Sequence, residues 1–484
     1  MHWSPTNLGN TIRPQRTDNP QPGPKSIHDP SHQNQTNREM HTAVWHMAWP
    51  TVVANLLGTL NGILDAFFVG GLTHSRQALA ATGTGGQLLF LLISVAIGLS
   101  VGTSALVSRF TGANDHDATC KASGQSLSLG FCLGVAAGLL VFVFRTELTQ
   151  LILGSSRSLS SIYCAQFLGF ALLSTAPNFV LNALIGTFRG VGDMKTPMLI
   201  QGATILVHMS CDWMFIYGHF GLPALGVRGA GIALTASTTM GMVCFIVSLY
   251  RRTKYRDIFL WQNLAPSLDW YRRILRISVP ASIRGLARTL AMAIYTAMLA
   301  RTLEGSAAVA AIAIAVRAEA IAFMPGIGYS IATSTLVGQS LGSKNPQRAE
   351  KATRAASAQA IIIMGIVGAS FLLFSHFLCR IFTADPMVVN LGAQYLRINA
   401  ISEPVFGLGI VLQGALQGAG DTARPTWITL ISMWCLRLPL GWVLMFPSHM
   451  EARGAWFAIC ISSIINNLLL LPLYLKGSWK HRKV

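Results

Sequence analysis

The sequence predicts an all-α polytopic membrane protein with twelve transmembrane helices in two six-helix lobes, related by pseudo-twofold symmetry along the membrane normal. Three observations lead there. The chain of 484 residues is 52% hydrophobic and only 11% charged. A soluble domain carries roughly 25% charged residues, and a surface so poor in charge calls for lipid as part of its solvent. Long apolar segments alternate with short polar ones. The second half of the chain repeats the first.

Residues 1–40 are rich in Pro, Asn, Gln, Ser, Thr and His, without an apolar run. Such a composition buries too little surface to fold, so a disordered cytoplasmic tail is expected there. Spans follow at 43–71, 78–108, 122–144, 160–188, 195–217 and 228–250, forming an N-lobe over 41–250. A cytoplasmic linker covers 251–271. A C-lobe over 272–475 holds spans at 272–300, 308–338, 356–380, 388–416, 425–446 and 453–475, and a basic cytoplasmic tail occupies 476–484. Each span has the roughly 20 residues that cross a bilayer core. With both termini placed in the cytoplasm, most Lys and Arg fall on that side, including Arg251, Arg252, Lys254, Arg256, Arg272 and Arg273 of the linker. That is the positive-inside pattern. It accounts for a net charge of +18 without nucleic acid as a partner.

The repeat is read from matching strings. TSALVSRFTGANDHDATCKAS from Thr103 aligns with TSTLVGQSLGSKNPQRAEKAT from Thr333, Pro50 with Pro280, and Ala80-Ala81 with Ala310-Ala311. RGVGDMKTP from Arg189 aligns with QGAGDTARP from Gln417, and RGA recurs at Arg228 and Arg453. Six spans per repeat is an even number, so both copies start on the same side and a cleft lies between them. Alternating access needs that arrangement, and the architecture points to transport. In the two turn motifs, glycines permit the sharp reversal, while Asp193 and Asp421 are placed to cap the helices that follow.

The runs LNGILDAFFVGGL, ALAATGTGGQLLFLL, CDWMFIYGHFGLPALGVRGAGIA and TSTLVGQSLGSKNPQRAE, with the paired RGVGD and GAGD turns, resemble the MATE (multidrug and toxic compound extrusion) family over about residues 43–475. The resemblance is nearest to the DinF-type branch. It implies efflux of organic, often cationic, amphipathic compounds driven by inward H⁺ or Na⁺, with no further cofactor, by a monomer in the inner membrane.

An ionisable residue inside a span is costly and is by default a functional candidate. The N-lobe has two acids in its spans, Asp65 and Asp212, and no interior Lys or Arg. They are candidates for binding a proton or a cation; satisfaction by neighbouring hydroxyls or amides is the structural alternative. The resemblance matches Asp65 to the family's first-helix acid and Asp212 to the fifth-helix acid of the DinF-type branch. Its N-lobe pocket also implies Asn182, with Thr235 completing the wall. A second pocket Asn of that branch is His208 here. His208 and Asp212 share a helix face at i,i+4, and that pair either relays a proton or holds the acid ionised.

The C-lobe carries Arg276, Arg284, Arg288, Arg317, Arg397 and Arg437 in its spans, against Glu319 and Glu403. Two readings stand. The acids neutralise neighbouring arginines in a structural network, or Arg284, Arg288 and Arg317 line the cleft with Glu319 and Glu403 and favour an anionic group. Residues 272–300 contain neither Asp nor Glu, unlike the NorM-type branch, which counts against Na⁺ coupling of that kind. Phe67, Phe68, Phe90 and Met292 are candidate contacts for a flat apolar substrate. The principal expectation is an H⁺-coupled antiporter, with Na⁺ second. The alternative is a flippase for a lipid-linked saccharide or other anionic amphiphile, which the cationic C-lobe would suit. No HExxH or phosphate-loop string is present, and an enzyme is not expected.

Overall fold

The computed structural model describes residues 30–72, 74–153 and 158–482. Most of the tail expected at 1–40 lies outside them. Among the described residues all regular structure is helical. Twelve long helices fall on the twelve expected spans: α1 Pro30–Gly70, α2 Ser75–Gly112, α3 His116–Val143, α4 Leu159–Val191, α5 Lys195–Tyr217, α6 Val227–Tyr250, α7 Leu268–Leu299, α8 Gly305–Gly342, α9 Pro346–Arg380, α10 Pro386–Ala400 continued by Glu403–Gly418, α11 Ala423–Met445 and α12 Glu451–Leu475. The helix α7, with Arg276, Arg284 and Arg288, is the least apolar by composition.

Local chemistry sets the boundaries. Asp115 caps α3 by accepting from the Ala118 amide at 2.9 Å, and its repeat counterpart Asn345 caps α9 through the Arg348 amide at 2.9 Å. Pro346 and Pro386 occupy first turns, where no amide donor is missed. Pro50 and Pro280 sit inside α1 and α7 at matched positions. Three spans are not straight. A 3-10 turn at Leu172–Ser174 interrupts α4. Its counterpart α10 bends by 60° between Ala400 and Glu403, and α8 bends by 47° between Ala320 and Phe323, close to Pro325. Within α11, Ile431–Arg437 is wound as a π-helix.

The first helix of each half crosses to the other half. Val44 and Ala48 of α1 pack with Tyr329, Ala332 and Leu336 of α8. Ile274 and Ile277 of α7 join the N-lobe core around Leu99, Leu106 and Phe179. Small side chains let these backbones approach, since helix association in lipid depends on close packing. Interlobe hydrogen bonds cluster from mid-helix toward the end where α2 and α8 finish. Ser282 Oγ donates to the Val95 carbonyl at 3.3 Å, Thr335 Oγ1 to that of Arg189 at 3.0 Å, and Gln339 Nε2 to that of Gly190 at 3.1 Å. This end, called basal here, is where the lobes close together.

The string Gly338–Gly342 spells G-x-S-x-G, which in hydrolases marks a nucleophile on a strand-to-helix turn. Here it lies inside the continuous helix α8, with Ser340 1% exposed. No such elbow exists at this position.

The two turn motifs behave differently. Asp193 caps α5 as expected: Oδ1 accepts from the amides of Lys195 (3.1 Å) and Thr196 (3.0 Å), and Oδ2 accepts from Thr196 Oγ1 at 2.6 Å. Arg252 pairs with the same carboxylate at 2.6 Å. Burial alone would push this carboxyl up, but the Thr196 bonds and Arg252 outweigh it and hold it below its ordinary 3.8. A carboxyl with a depressed folded value stabilises the fold above its unfolded value, and that contribution is lost as pH falls through the folded one. The unfolding temperature in detergent is therefore expected to drop more steeply from about pH 5 to 3 in the parent protein than in Asp193→Asn. Parallel profiles would refute this. Asp421 does not cap α11; it pairs with Arg482 at 2.7 Å and Arg424 at 3.6 Å instead.

Candidate functional site

The acids of the N-lobe meet where α1 packs on α5. Asn61 and Asp65 are one turn apart on α1, and His208 and Asp212 are one turn apart on α5, so two i,i+4 pairs face each other. His208 Nδ1 lies 3.0 Å from Asn61 Oδ1 and 3.5 Å from Asp65 Oδ1. On the other side of the ring, Nε2 lies 3.8 Å from Asp212 Oδ2. One ligating atom from each of Asp65, His208 and Asp212 falls within 4.8 Å of the others. On the side away from the basal end, Tyr217 Oη donates to the Phe68 carbonyl at 2.7 Å and clamps the end of α5 to the end of α1.

Exposure separates the three groups. The side chains of His208 and Asp212 are 5% and 3% exposed, whereas that of Asp65 is 42% exposed. Asp65 is thus the open member of the group and Asp212 the buried one. Two carboxylates this close repel unless something positive stands between them. A proton, a charged imidazole or a small cation satisfies that condition. At 3.8 Å the His208–Asp212 contact is longer than a hydrogen bond; the close partner of His208 is Asn61. The α1 sequence held a signal for Asn61, a polar residue one turn before an acid in an otherwise apolar span.

Asn182 and Thr235 bond elsewhere. Asn182 Nδ2 donates along its own helix to the Asn178 carbonyl (3.0 Å) and Oδ1 (2.9 Å). Thr235 Oγ1 donates to the Phe170 carbonyl at 2.8 Å, tying α6 to α4. Among the aromatics, Phe67 and Phe90 are exposed, Phe68 packs on Tyr217 with ring centroids 6.4 Å apart, and Met292 packs against the C-lobe core.

In the C-lobe, Glu319 is buried at the bend of α8 and accepts from Tyr395 Oη at 2.7 Å. Glu403 opens the second segment of the bent α10, 1% exposed, with Oε2 unpartnered among the described residues. The arginines find neutral partners. Arg437 donates to Ser462 Oγ (2.8 Å) and Ser463 Oγ (2.9 Å), and Arg397 to Ser375 Oγ (2.9 Å). With the Gln417 amide turned to present its oxygen, Arg284 donates to it at 2.8 Å. Arg288 and Arg317 are exposed. Among the described residues no ion pair joins Glu319 or Glu403 to any of these arginines. The hydrogen bonds of Arg397 and Arg437 go to serine hydroxyls.

The chain is similar to known transporters over nearly its whole length. A probable multidrug resistance protein NorM from Thermotoga maritima is 28% identical over 455 residues, covering 92% of this chain and 94% of the relative. A probable multidrug resistance protein YoeA from Bacillus subtilis is 25% identical over 458 residues, covering 93% and 97%. Among solved structures, a MATE protein in complex with MaL6 superposes with a TM-score of 0.84 at 24% identity, covering 92% and 98%. An outward-facing MATE family transporter of the MOP superfamily superposes with a TM-score of 0.84 at 23% identity, covering 92% and 97%. These likenesses show the fold. The MatE family model matches twice, at residues 50–214 and again at 280–443, one match per lobe. The chain belongs to the MatE family.

Proposed function

We propose that the protein is a secondary active efflux antiporter that exports organic, cationic amphipathic compounds in exchange for H⁺ by alternating access. The observation that carries this reading is the Asp65–His208–Asp212 group, two acids beside one imidazole with one member 42% exposed. The names of the relatives, multidrug resistance proteins, point the same way. A proton arriving at Asp65 passes to Asp212, whose carboxyl oxygen lies within 4.8 Å of it, with the His208 ring beside both. Substrate cation and proton compete for the same negative charge, so each favours a different conformation, as antiport requires. Na⁺ is the second candidate ion, since the same oxygens lie close enough to ligate it. The linker cations favour an orientation with the basal end and both termini on the cytoplasmic side of an inner membrane, and the N-lobe acids favour the DinF-type branch. The unit of function is the monomer. Asn182 and Thr235 serve as wall residues behind the acid group.

A second reading, export of a lipid-linked saccharide or other anionic amphiphile, is favoured by Arg288 and Arg317, exposed and without an ion-pair partner among the described residues. Ethidium efflux from loaded vesicles under separately imposed H⁺ and Na⁺ gradients tests both. Efflux driven by H⁺ alone is expected. Efflux driven by Na⁺ alone reassigns the ion, and no cation transport under either gradient promotes the anionic substrate.

A further inference from the structure

The sequence predicts a basic tail after α12, and its residues 476–482 are folded and docked. Gly477, at φ +70°, turns the chain back beneath α12 into a short 3-10 turn, Ser478–His481. Trp479 anchors it. Only 1% exposed, it stacks on Tyr474 with ring centroids 5.1 Å apart, donates Nε1 to the Tyr474 carbonyl at 2.9 Å, and packs with Val337, Leu341 and Leu416. Ser478 Oγ accepts from Arg424 at 2.6 Å, and Lys480 pairs with Glu350 of α9.

The last described residue of this segment holds both lobes. Arg482 Nη1 pairs at 2.7 Å with Asp421, a fully buried carboxylate in the turn before α11. Its backbone carbonyl accepts from Arg109 Nη2 at 2.9 Å, and Arg109 is in the last turn of α2, in the other lobe. The repeat makes the asymmetry plain. Asp193 and Arg252 are the N-lobe counterparts of Asp421 and Arg482, and that pair stays within its own lobe, with Arg252 also bonded to Thr196 at 2.8 Å. In the second copy alone, the arginine that follows the last helix of the lobe reaches across the basal closure.

We propose that Gly477–Arg482 is a conformation-dependent strap, which ties the two lobes together while the basal end is closed and has to release when that end opens. When the lobes part, Arg109 moves with α2 while Asp421 and Trp479 stay with the C-lobe, so the Arg109–Arg482 bond is the contact that must break. A hydrogen bond from a charged donor is among the stronger ones a protein makes. Losing it shifts the balance between closed and open forms by its full differential free energy. The strap rests on the alternating-access reading. Its test uses no gradient and no substrate, so it succeeds or fails separately from coupling at Asp65 and Asp212.

Spin labels at Lys121→Cys and Lys351→Cys, exposed positions near the basal ends of α3 and α9, report lobe separation by double electron–electron resonance. The measurement is made on the full chain in lipid nanodiscs, in a cysteine-free background with parental efflux. Arg482→Ala and Arg109→Gln are each expected to raise the long-distance, basally open population by about threefold or more. Arg109→Gln leaves the buried Asp421 paired, so it keeps the test valid if Arg482→Ala does not fold. A shift in Arg482→Ala alone would make the segment a brace internal to the C-lobe and overturn the proposal. Unchanged distributions in both variants would overturn it as well.

Discussion

Asp212→Asn is expected to reduce H⁺-driven ethidium efflux by about 5–150-fold, the range that corresponds to losing a coupling free energy of about 1–3 kcal/mol. The geometry explains why this substitution should exceed others in the N-lobe. Asp212 is the buried end of the group, 3% exposed, while Asp65 remains 42% exposed. An asparagine fills the same space and still hydrogen-bonds, but holds no ionisable proton. Proton uptake and substrate release then no longer bias opposite conformations. Asp65→Asn should give a loss in the same range, because the entry carboxylate disappears. His208→Asn is the informative intermediate. It keeps a polar group opposite Asn61 but removes the ring that spans from Asp65 to Asp212, so the maximal rate is expected to fall while ethidium binding changes little. Efflux in Asp212→Asn at the parental rate would move coupling out of the N-lobe, toward Glu319 and Glu403 at the bends of α8 and α10.

The arrangement of the twelve spans was legible because each is an apolar run of membrane length, and lipid leaves a chain few alternatives to the helix. The lobe repeat was equally legible, since matched strings such as those at Thr103 and Thr333 survive in both copies. Asp65, His208 and Asp212 could be selected for a related reason: charge inside a span is rare enough to draw notice by itself. What the sequence hid depends on side-chain direction across helices. Asn61 looks like one more polar residue in α1 until α5 is packed against it. The bonds of Asn182 to Asn178 and of Thr235 to Phe170 likewise carry no sequence signal. Ser375, Ser462 and Ser463 supply oxygens to Arg397 and Arg437 that no charge count registers. The docking of Trp479 was hidden in the same way, because nothing in a short basic segment with one aromatic announces the groove between α8, α10 and α12 that receives it.

A glycine pair at the basal closure carries the other large expected effect. Gly112 ends α2 and Gly342 ends α8, at matched positions of the repeat. Each faces the backbone of the opposite lobe. A Cβ on Gly112 would lie 2.6 Å from the Cα of Gln339, and one on Gly342 would lie 2.9 Å from the Ala113 amide nitrogen and 3.0 Å from the Arg109 carbonyl carbon. Backbone atoms cannot turn aside as a flexible side chain does, so any added carbon forces the helices apart. The reciprocal contact works as a hard stop that needs no side chain, and it lies one turn from Arg109, where the strap attaches. Gly112→Val and Gly342→Val are each expected to lower efflux by more than about tenfold, since a wedge worth roughly 1.4 kcal/mol or more against the closed state already changes that equilibrium tenfold. Gly112→Ala should fall between parent and valine variant. Gly83→Ala, on the same helix with nothing within 4 Å of the new methyl, should transport normally. The same spin-label pair should show the valine variants opened at the basal end. Parental efflux in both valine variants would mean that the close approach at Gly112 and Gly342 is not required for the transport cycle.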